Sequence, residues 1–172
     1  MASYRELCAI GESFTAFVGH GLPSEIAAVD AVLHQLAAEG GVSAASIARL
    51  HNLKRRYHLL VAGEMWCPDC QINIAVFDFI QRSQPLIEQA IITKGRAEDD
   101  LRERLGLEKI RIPLAAVLDA DFQLLGCFVE RPQQVIAGGQ AVLADYRAGK
   151  FLDSTIRDLL DIIEAAEQRA AS

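Results

Sequence analysis

The chain lacks long apolar runs, a targeting segment and an excess of positive charge. No run approaches the ~18 to 20 uninterrupted apolar residues that cross a bilayer, and residues 1–11 lack the basic, apolar and small-residue order of a secretory signal. The formal net charge of −6 argues against nucleic acid or an anionic membrane as a partner, because both attract clustered cations. The only basic run, Lys54-Arg55-Arg56, is interpreted as a solvated helix end. We therefore expect a soluble, cytoplasmic protein.

Cysteine is also scarce, and internal repeats and low-complexity segments are absent. Four cysteines in 172 residues do not make a disulfide-rich scaffold. A chain of this length with 51% apolar residues is long enough for one well-buried core. We therefore expect one compact unit, in which paired cysteines are catalytic and single cysteines are structural.

The first part of the chain has helical patterns only. Apolar residues recur at helical spacing after Ser24 and again after Ser43, and either serine can cap a helix. Shorter helices are predicted near residues 3–10 and 14–18. Residues 1–56 are therefore predicted to be an all-α extension without a catalytic signature. The apolar stripes of these helices fit a cover for a sheet, a cap over a site or a dimer contact, so the oligomeric state stays open.

From Tyr57 onward, predicted strands alternate with predicted helices. Strands are predicted at residues 57–63, 87–93, 113–119 and 122–130, the last two antiparallel. Helices are predicted at residues 71–81, 97–105, 133–147 and 153–168, the third weakened by Gly138-Gly139. The order β-α-β-α-β-β-α predicts an α/β domain over residues 57–172, with a central mixed sheet flanked by helices.

The motif Cys67-Pro68-Asp69-Cys70, preceded by Trp66, lies where the first strand ends and an apolar helix begins. Two thiols two residues apart at the start of a helix can open and close a disulfide. If Cys67 is the N-cap and Pro68 the first helical residue, the Cys67 sulfur faces unpaired backbone N–H groups that favour the thiolate. We therefore predict that Cys67 is the attacking thiol and that Cys70, one turn further, is the resolving thiol.

Half of a zinc site is the alternative interpretation of this pair. Structural zinc usually has four ligands, and neither the other cysteines nor the four histidines form a second pair at a familiar spacing. No metal site is therefore predicted. Cys127, in an apolar strand, and Cys8, in a short helix, are interpreted as inert thiols.

Asp69 and Trp66 are predicted to modify the site. The Asp69 carboxylate lies beside Cys67, competes for the same N–H groups and disfavours a second negative charge, so we expect Cys67 to be less acidic and the couple more reducing. The alternative is that Asp69 only starts the helix. Trp66 is expected to shield the rim of the site, and simple core packing is its alternative.

Residues 57–172 resemble the thioredoxin superfamily in three features: the strand-Trp-Cys-x-x-Cys-helix junction, the order of elements, and Ile112-Pro113 before the third strand. The resemblance implies a thioredoxin-like fold and a cis Ile112–Pro113 bond beside the dithiol, where the residue before the proline offers backbone hydrogen bonds to an extended substrate. The string Trp-Cys-Pro-Asp-Cys is similar to that of small cytosolic thioredoxin-related disulfide reductases. The N-terminal helices and residues 128–132 are similar to those of a bacterial subgroup with a helical extension.

The resemblance implies a thiol-disulfide oxidoreductase that needs no metal or organic cofactor but requires an external electron donor. We expect a disulfide reductase acting on a disulfide-containing protein or small molecule. One position departs from the superfamily, because its buried acid, which assists deprotonation of the second cysteine, falls on Val61. Asp69 or Glu64 could accept that proton instead, although a solvated role is favoured for both. A non-catalytic or redox-sensing interaction module and a thiol-dependent peroxidase stay open as alternatives.

Overall fold

A computed structural model describes all residues, 1–172, and contains one mixed sheet. Strands β1 and β2 are parallel, whereas β3 is antiparallel to β1 and β4 is antiparallel to β3. The strands lie in the order β2-β1-β3-β4, with the bounds β1 Tyr57–Ala62, β2 Ile87–Ile92, β3 Leu114–Asp119 and β4 Leu124–Val129. The predicted α/β architecture with a central mixed sheet is confirmed.

Four helices precede the sheet: α1 Tyr4–Ile10, α2 Phe14–Gly19, α3 Pro23–Ala37 and α4 Ala44–His51. The side chain of Ser43 caps α4 by accepting the N–H of Ser46 at 3.1 Å, as its position predicts. Helix α3 begins one residue before the expected cap, because Pro23 occupies its first position and Leu22 is the N-cap. The boundary between an extension and a domain at residue 56 stays a prediction.

Five helices follow β1: α5 Pro68–Ser83, α6 Lys94–Asp100, α7 Gln133–Gly138, α8 Gln140–Arg147 and α9 Leu152–Ala171. The single helix predicted over residues 133–147 is wrong. Gly139 has φ +59° and ψ −143°, a conformation that glycine adopts readily and that ends one helix before the next begins. Helix α6 also differs from prediction, because Thr93 caps it and it begins at Lys94. None of the nine helices combines the length and apolarity needed to cross a bilayer.

The helices pack around the sheet through one shared core. Helices α5 and α9 contact the sheet and each other, α3 packs along α5, and α1 contacts β1 and β2. Glu12 forms an isolated bridge with Ile91 and so pairs part of the edge strand β2. Leu7 and Leu50, from the N-terminal helices, belong to the same buried cluster as Leu60 of β1. The N-terminal helices therefore contribute to the core that holds β1 and the segment after it in place.

Candidate active site

Cys67 lies at the N-terminus of α5, directly after the loop that follows β1. Its backbone is extended, with φ −88° and ψ 119°, and Pro68 is the first helical residue. Proline loses no hydrogen bond there, because the first N–H of a helix has no intrahelical partner. The Cys67 side chain makes no capping hydrogen bond, but the nearby backbone N–H groups of Cys70 and Asp69 favour its thiolate. The predicted N-cap geometry is therefore present.

The thiol of Cys67 is acidic, with a pKa lowered to about 7. The hydrogen bond from the Cys70 thiol is the largest cause, and it acts against the burial of Cys67, which raises the pKa. The two backbone N–H groups lower the pKa further, and the Asp69 carboxylate raises it by the smallest of these influences. The expected direction of the Asp69 effect is thus present.

Cys70 is fully buried one turn behind Cys67. Burial raises its pKa well above the ordinary value, and its hydrogen bond to Cys67 raises it further. Gly63 makes room for this packing, since a Cβ at Gly63 would lie 2.4 Å from the Cδ1 atom of Ile74 and 3.4 Å from the Cys70 sulfur. The two sulfurs therefore differ in protonation: Cys67 ionises near neutral pH while Cys70 keeps its proton.

The segment before β3 lies against Cys67. The Cys67 sulfur lies 3.7 Å from the backbone oxygen of Ile112, and the Ile112–Pro113 bond is cis. Both residues are buried, whereas Trp66 is 61% exposed. The core-packing alternative for Trp66 is therefore wrong. The exposed Trp66 thus directly precedes Cys67, which is itself only 7% exposed.

Asp69 is neither solvated nor merely a helix-starting residue, in contrast to its two simpler interpretations. Its side chain is 11% exposed and pairs with the guanidinium of Arg131, whose Nε and Nη2 atoms lie 3.1 and 3.4 Å from the two carboxylate oxygens. The hydroxyl of Tyr146 donates to the same carboxylate at 2.8 Å. This pairing raises the pKa of Arg131, and burial raises that of Tyr146, so both groups remain donors at neutral pH.

Asn73 joins this pair to the C-terminal helices. Its side-chain N–H groups donate to the Asp69 carbonyl at 2.9 Å and to the Tyr146 hydroxyl at 2.9 Å, and its side-chain oxygen accepts the Thr155 hydroxyl at 2.7 Å. Sequence reasoning missed Arg131, Tyr146 and Asn73. Only Asn73 carried a sequence signal, as an amide between two isoleucines in an apolar helix; the structure shows it fully buried.

The proposed proton acceptors for Cys70 are engaged elsewhere. The Glu64 carboxylate accepts the backbone N–H of Lys94 at 3.0 Å, and Glu64 reaches Cys70 through its own backbone N–H. Val61 is fully buried in β1 and has no ionisable group. The Asp69 carboxylate is held by the donors described above. None of these three residues therefore offers a free carboxylate that could accept the proton of Cys70.

The remaining cysteines lie apart from this arrangement. Cys8 and Cys127 are half-buried, and burial raises the pKa of both thiols, that of Cys8 to about 11. Neither thiol is primed for ionisation near neutral pH. No cluster of three or more His, Cys, Asp or Glu side chains that could hold a metal ion is present.

Comparison with known proteins gives a family match and two similar structures. Residues 11–143 match the model of a family described as thioredoxin. A crystal structure of a protein of unknown function from Pseudomonas aeruginosa is 61% identical, with a TM-score of 0.94 over 96% of this chain and 99% of that one. An HIV epitope scaffold is 58% identical, with a TM-score of 0.93 over 95% of this chain and 99% of that one. No curated protein matches.

Proposed function

We propose, from the premise that this chain belongs to the thioredoxin family, that it is a thiol-disulfide oxidoreductase that reduces disulfides. The thioredoxin-like fold implied by the sequence resemblance is confirmed, and family membership supports a thioredoxin-like redox role. The observation that carries the finer proposal is the asymmetry of the two sulfurs. Cys67 has a pKa of about 7 at the end of a helix, whereas Cys70 is buried and protonated behind it.

In the first step, the Cys67 thiolate attacks one sulfur of the substrate disulfide. The substrate S–S bond breaks, a new S–S bond joins Cys67 to the substrate, and the departing sulfur leaves as a thiolate that takes a proton from water. With a pKa of about 7, Cys67 is about half thiolate at neutral pH. The nucleophilic thiolate form of Cys67 is therefore well populated, and this thiolate is basic enough to attack a disulfide.

In the second step, Cys70 resolves the mixed disulfide. Once Cys67 is bonded to the substrate it no longer carries a negative charge, so one of the causes that raise the pKa of Cys70 is removed. Cys70 loses its proton and attacks the Cys67 sulfur, the mixed disulfide breaks, and the second substrate thiolate leaves and is protonated. Two electrons have then moved to the substrate, and a Cys67–Cys70 disulfide remains. A separate dithiol donor must reduce it.

The surface beside Cys67 supports a disulfide held in an extended segment or a small molecule. Ile112 brings its backbone oxygen to 3.7 Å from the attacking sulfur, so a substrate strand can pair beside the bond that reacts. Pro113 is also buried and leads directly into β3. Trp66 offers a flat apolar surface that excludes water from the mixed disulfide.

Two serine variants test the mechanism. With dithiothreitol as electron donor, the unmodified protein should reduce the disulfides of insulin, Cys67→Ser should lose this activity, and Cys70→Ser should accumulate mixed disulfides through Cys67. Peptide mass mapping after thiol blocking identifies the sulfur that carries the adduct. Cys127→Ser is the matched control and should behave as the unmodified protein, since Cys127 lies outside the site.

The same donor separates the alternative functions. Turnover of hydrogen peroxide without insulin reduction would favour the thiol peroxidase, and no turnover of either would favour the redox-sensing or interaction module. Full activity of Cys67→Ser would contradict the proposed mechanism.

A further inference from the structure

The carboxylate beside the attacking thiol has a single cationic partner. We propose that Arg131 is a positioning residue of this site, which holds Asp69 and neutralises its charge and thereby sets how readily Cys67 forms a thiolate. The proposal rests on the proposed function, because it assigns a role within the same dithiol chemistry. Asp69 lies in the motif itself, whereas Arg131 lies 62 residues further along the chain.

The contact between the two residues is two-pronged and largely shielded from water. The Nε and Nη2 atoms of Arg131 approach different oxygens of Asp69, at 3.1 and 3.4 Å. The Asp69 side chain is 11% exposed and that of Arg131 27% exposed. A planar guanidinium matches a carboxylate in this geometry, and a charge that is kept from water acts strongly on its neighbours. Tyr146, the other donor to the carboxylate, is neutral.

The backbone that delivers Arg131 adopts an uncommon conformation. The N–H of Arg131 donates to the carbonyl of Val129 at 2.8 Å, so the chain makes a three-residue turn with Glu130 at its centre. Glu130 has φ +68°, in a region that side-chain-bearing residues seldom occupy, and such turns are strained. A strained residue that persists is held by its surroundings and commonly lies at a functional site. Here the turn directs Arg131 toward Asp69.

Other charged groups near the dithiol do not replace this cation. Glu130 lies 3.8 Å from Arg131 and 3.5 Å from Arg111, so these side chains form a chain of alternating charge at the surface. The Glu64 carboxylate is held by a backbone N–H of α6. No cation other than Arg131 contacts Asp69. Removal of Arg131 therefore leaves a negative charge within two residues of the sulfur that must itself become negative.

Four proteins form the test: the unmodified protein, Arg131→Met, Asp69→Asn and the double variant. The rate of alkylation of Cys67 as a function of pH gives its pKa. With Arg131 in place, the Asp69 carboxylate has only a small effect on the Cys67 pKa. Arg131→Met leaves this charge uncompensated and should raise the Cys67 pKa by about one unit. Asp69→Asn should lower the pKa, because it leaves Arg131 without its anion. The double variant should return near the unmodified value.

The redox equilibrium gives a second, independent measurement. A rise in the Cys67 pKa from about 7 to about 8 removes most of the thiolate stabilisation of the reduced form at pH 8. The equilibrium constant for reduction should fall about fivefold in Arg131→Met at that pH, equivalent to about 20 mV toward a more reducing couple. Equilibration with mixtures of glutathione and its disulfide measures this ratio.

Two further variants separate charge from structure. Arg131→Lys keeps the cation without the two-pronged contact and should recover more than half of the pKa change. Arg82→Met is the matched control, since Arg82 pairs at 2.8 Å with the similarly buried Asp78 at the far end of α5. It should leave the pKa of Cys67 unchanged.

An unchanged Cys67 pKa in Arg131→Met, or a double variant that keeps the defect of Arg131→Met, would overturn the proposal. If Arg131→Met does not fold, Asp69→Asn and the double variant decide, since only Asp69→Asn leaves an unpaired cation and must have the lower pKa of the two. Alkylation does not require turnover. A protein that shows these pKa changes but reduces no disulfide would contradict the proposed function and leave the role of Arg131 standing.

Discussion

Replacing Cys70 with alanine should raise the pKa of Cys67, whereas replacing it with serine should not. The hydrogen bond that the Cys70 thiol donates is the largest cause of the lowered Cys67 pKa. Alanine removes this donor, and serine keeps a hydroxyl donor at the same place. The pair of variants therefore isolates one hydrogen bond at a sulfur that is otherwise held by the same helix N-terminus.

The size of the change follows from the strength of such a bond. A hydrogen bond to a charged acceptor contributes about 1.5 to 3 kcal/mol, and one pKa unit corresponds to about 1.4 kcal/mol. Because the smaller alanine also admits water near Cys67 and weakens desolvation, we expect the lower end, about one unit. The pKa should rise from about 7 to about 8. Below both values, the thiolate population falls about tenfold for each such unit.

Alkylation by iodoacetamide between pH 5 and pH 10 is the assay, with peptide mass mapping to follow Cys67 alone. At pH 6 the alanine variant should react about ten times more slowly than the serine variant, and above pH 9 the two should react at similar rates. Cys8 interferes little, because burial raises its pKa to about 11. Equal Cys67 pKa values in the two variants would refute the reasoning and indicate that the helix N-terminus causes the low pKa.

Two other predictions concern the supports of the site. Asn73→Ala should lower the free energy of unfolding by about 3 kcal/mol, because it leaves several buried donors and acceptors unpaired. Thr155→Val removes only one hydrogen bond of this network and should lower the free energy of unfolding by about 1 kcal/mol. Urea denaturation of both variants tests this. Gly63→Ala should lower the same quantity by about 1 to 3 kcal/mol, because the added methyl would lie 2.4 Å from Ile74. Gly19→Ala, with open space around it, should be neutral or stabilising, and comparable losses at both glycines would contradict the packing argument.

The sequence predicts the order of the strands and helices because each element leaves a local pattern. The apolar run after Tyr57 and the proline after Cys67 identify a strand and a helix start without reference to the rest of the chain. Boundaries are less well predicted. Helix α3 begins at Pro23, before the serine that could have capped it, because proline suits the first helical position. At Gly139 a local conformation divides one predicted helix into two.

The chemistry of the dithiol is only half local. Cys67, Pro68 and Cys70 can be interpreted from spacing alone, since a helix N-terminus acts on whatever sulfur precedes it. The partners of Asp69 cannot, because Arg131 and Tyr146 lie 62 and 77 residues away and belong to different elements. A sequence pattern with a period of two or four residues carries no information at such separations. The sequence therefore predicts the charge of Asp69 but not the arginine that pairs with it.

The pairing of Asp69 bears on how Cys70 loses its proton. The position of the superfamily's buried acid is Val61, the Glu64 carboxylate accepts a backbone N–H of α6, and Asp69 receives two donors. Each carboxylate near Cys70 is thus engaged. In the proposed mechanism, the proton of Cys70 leaves to water or to the departing substrate sulfur, and the mixed disulfide sets the timing of this loss because it removes the charge of Cys67. In the proposed mechanism, formation of the mixed disulfide therefore also activates its own resolution.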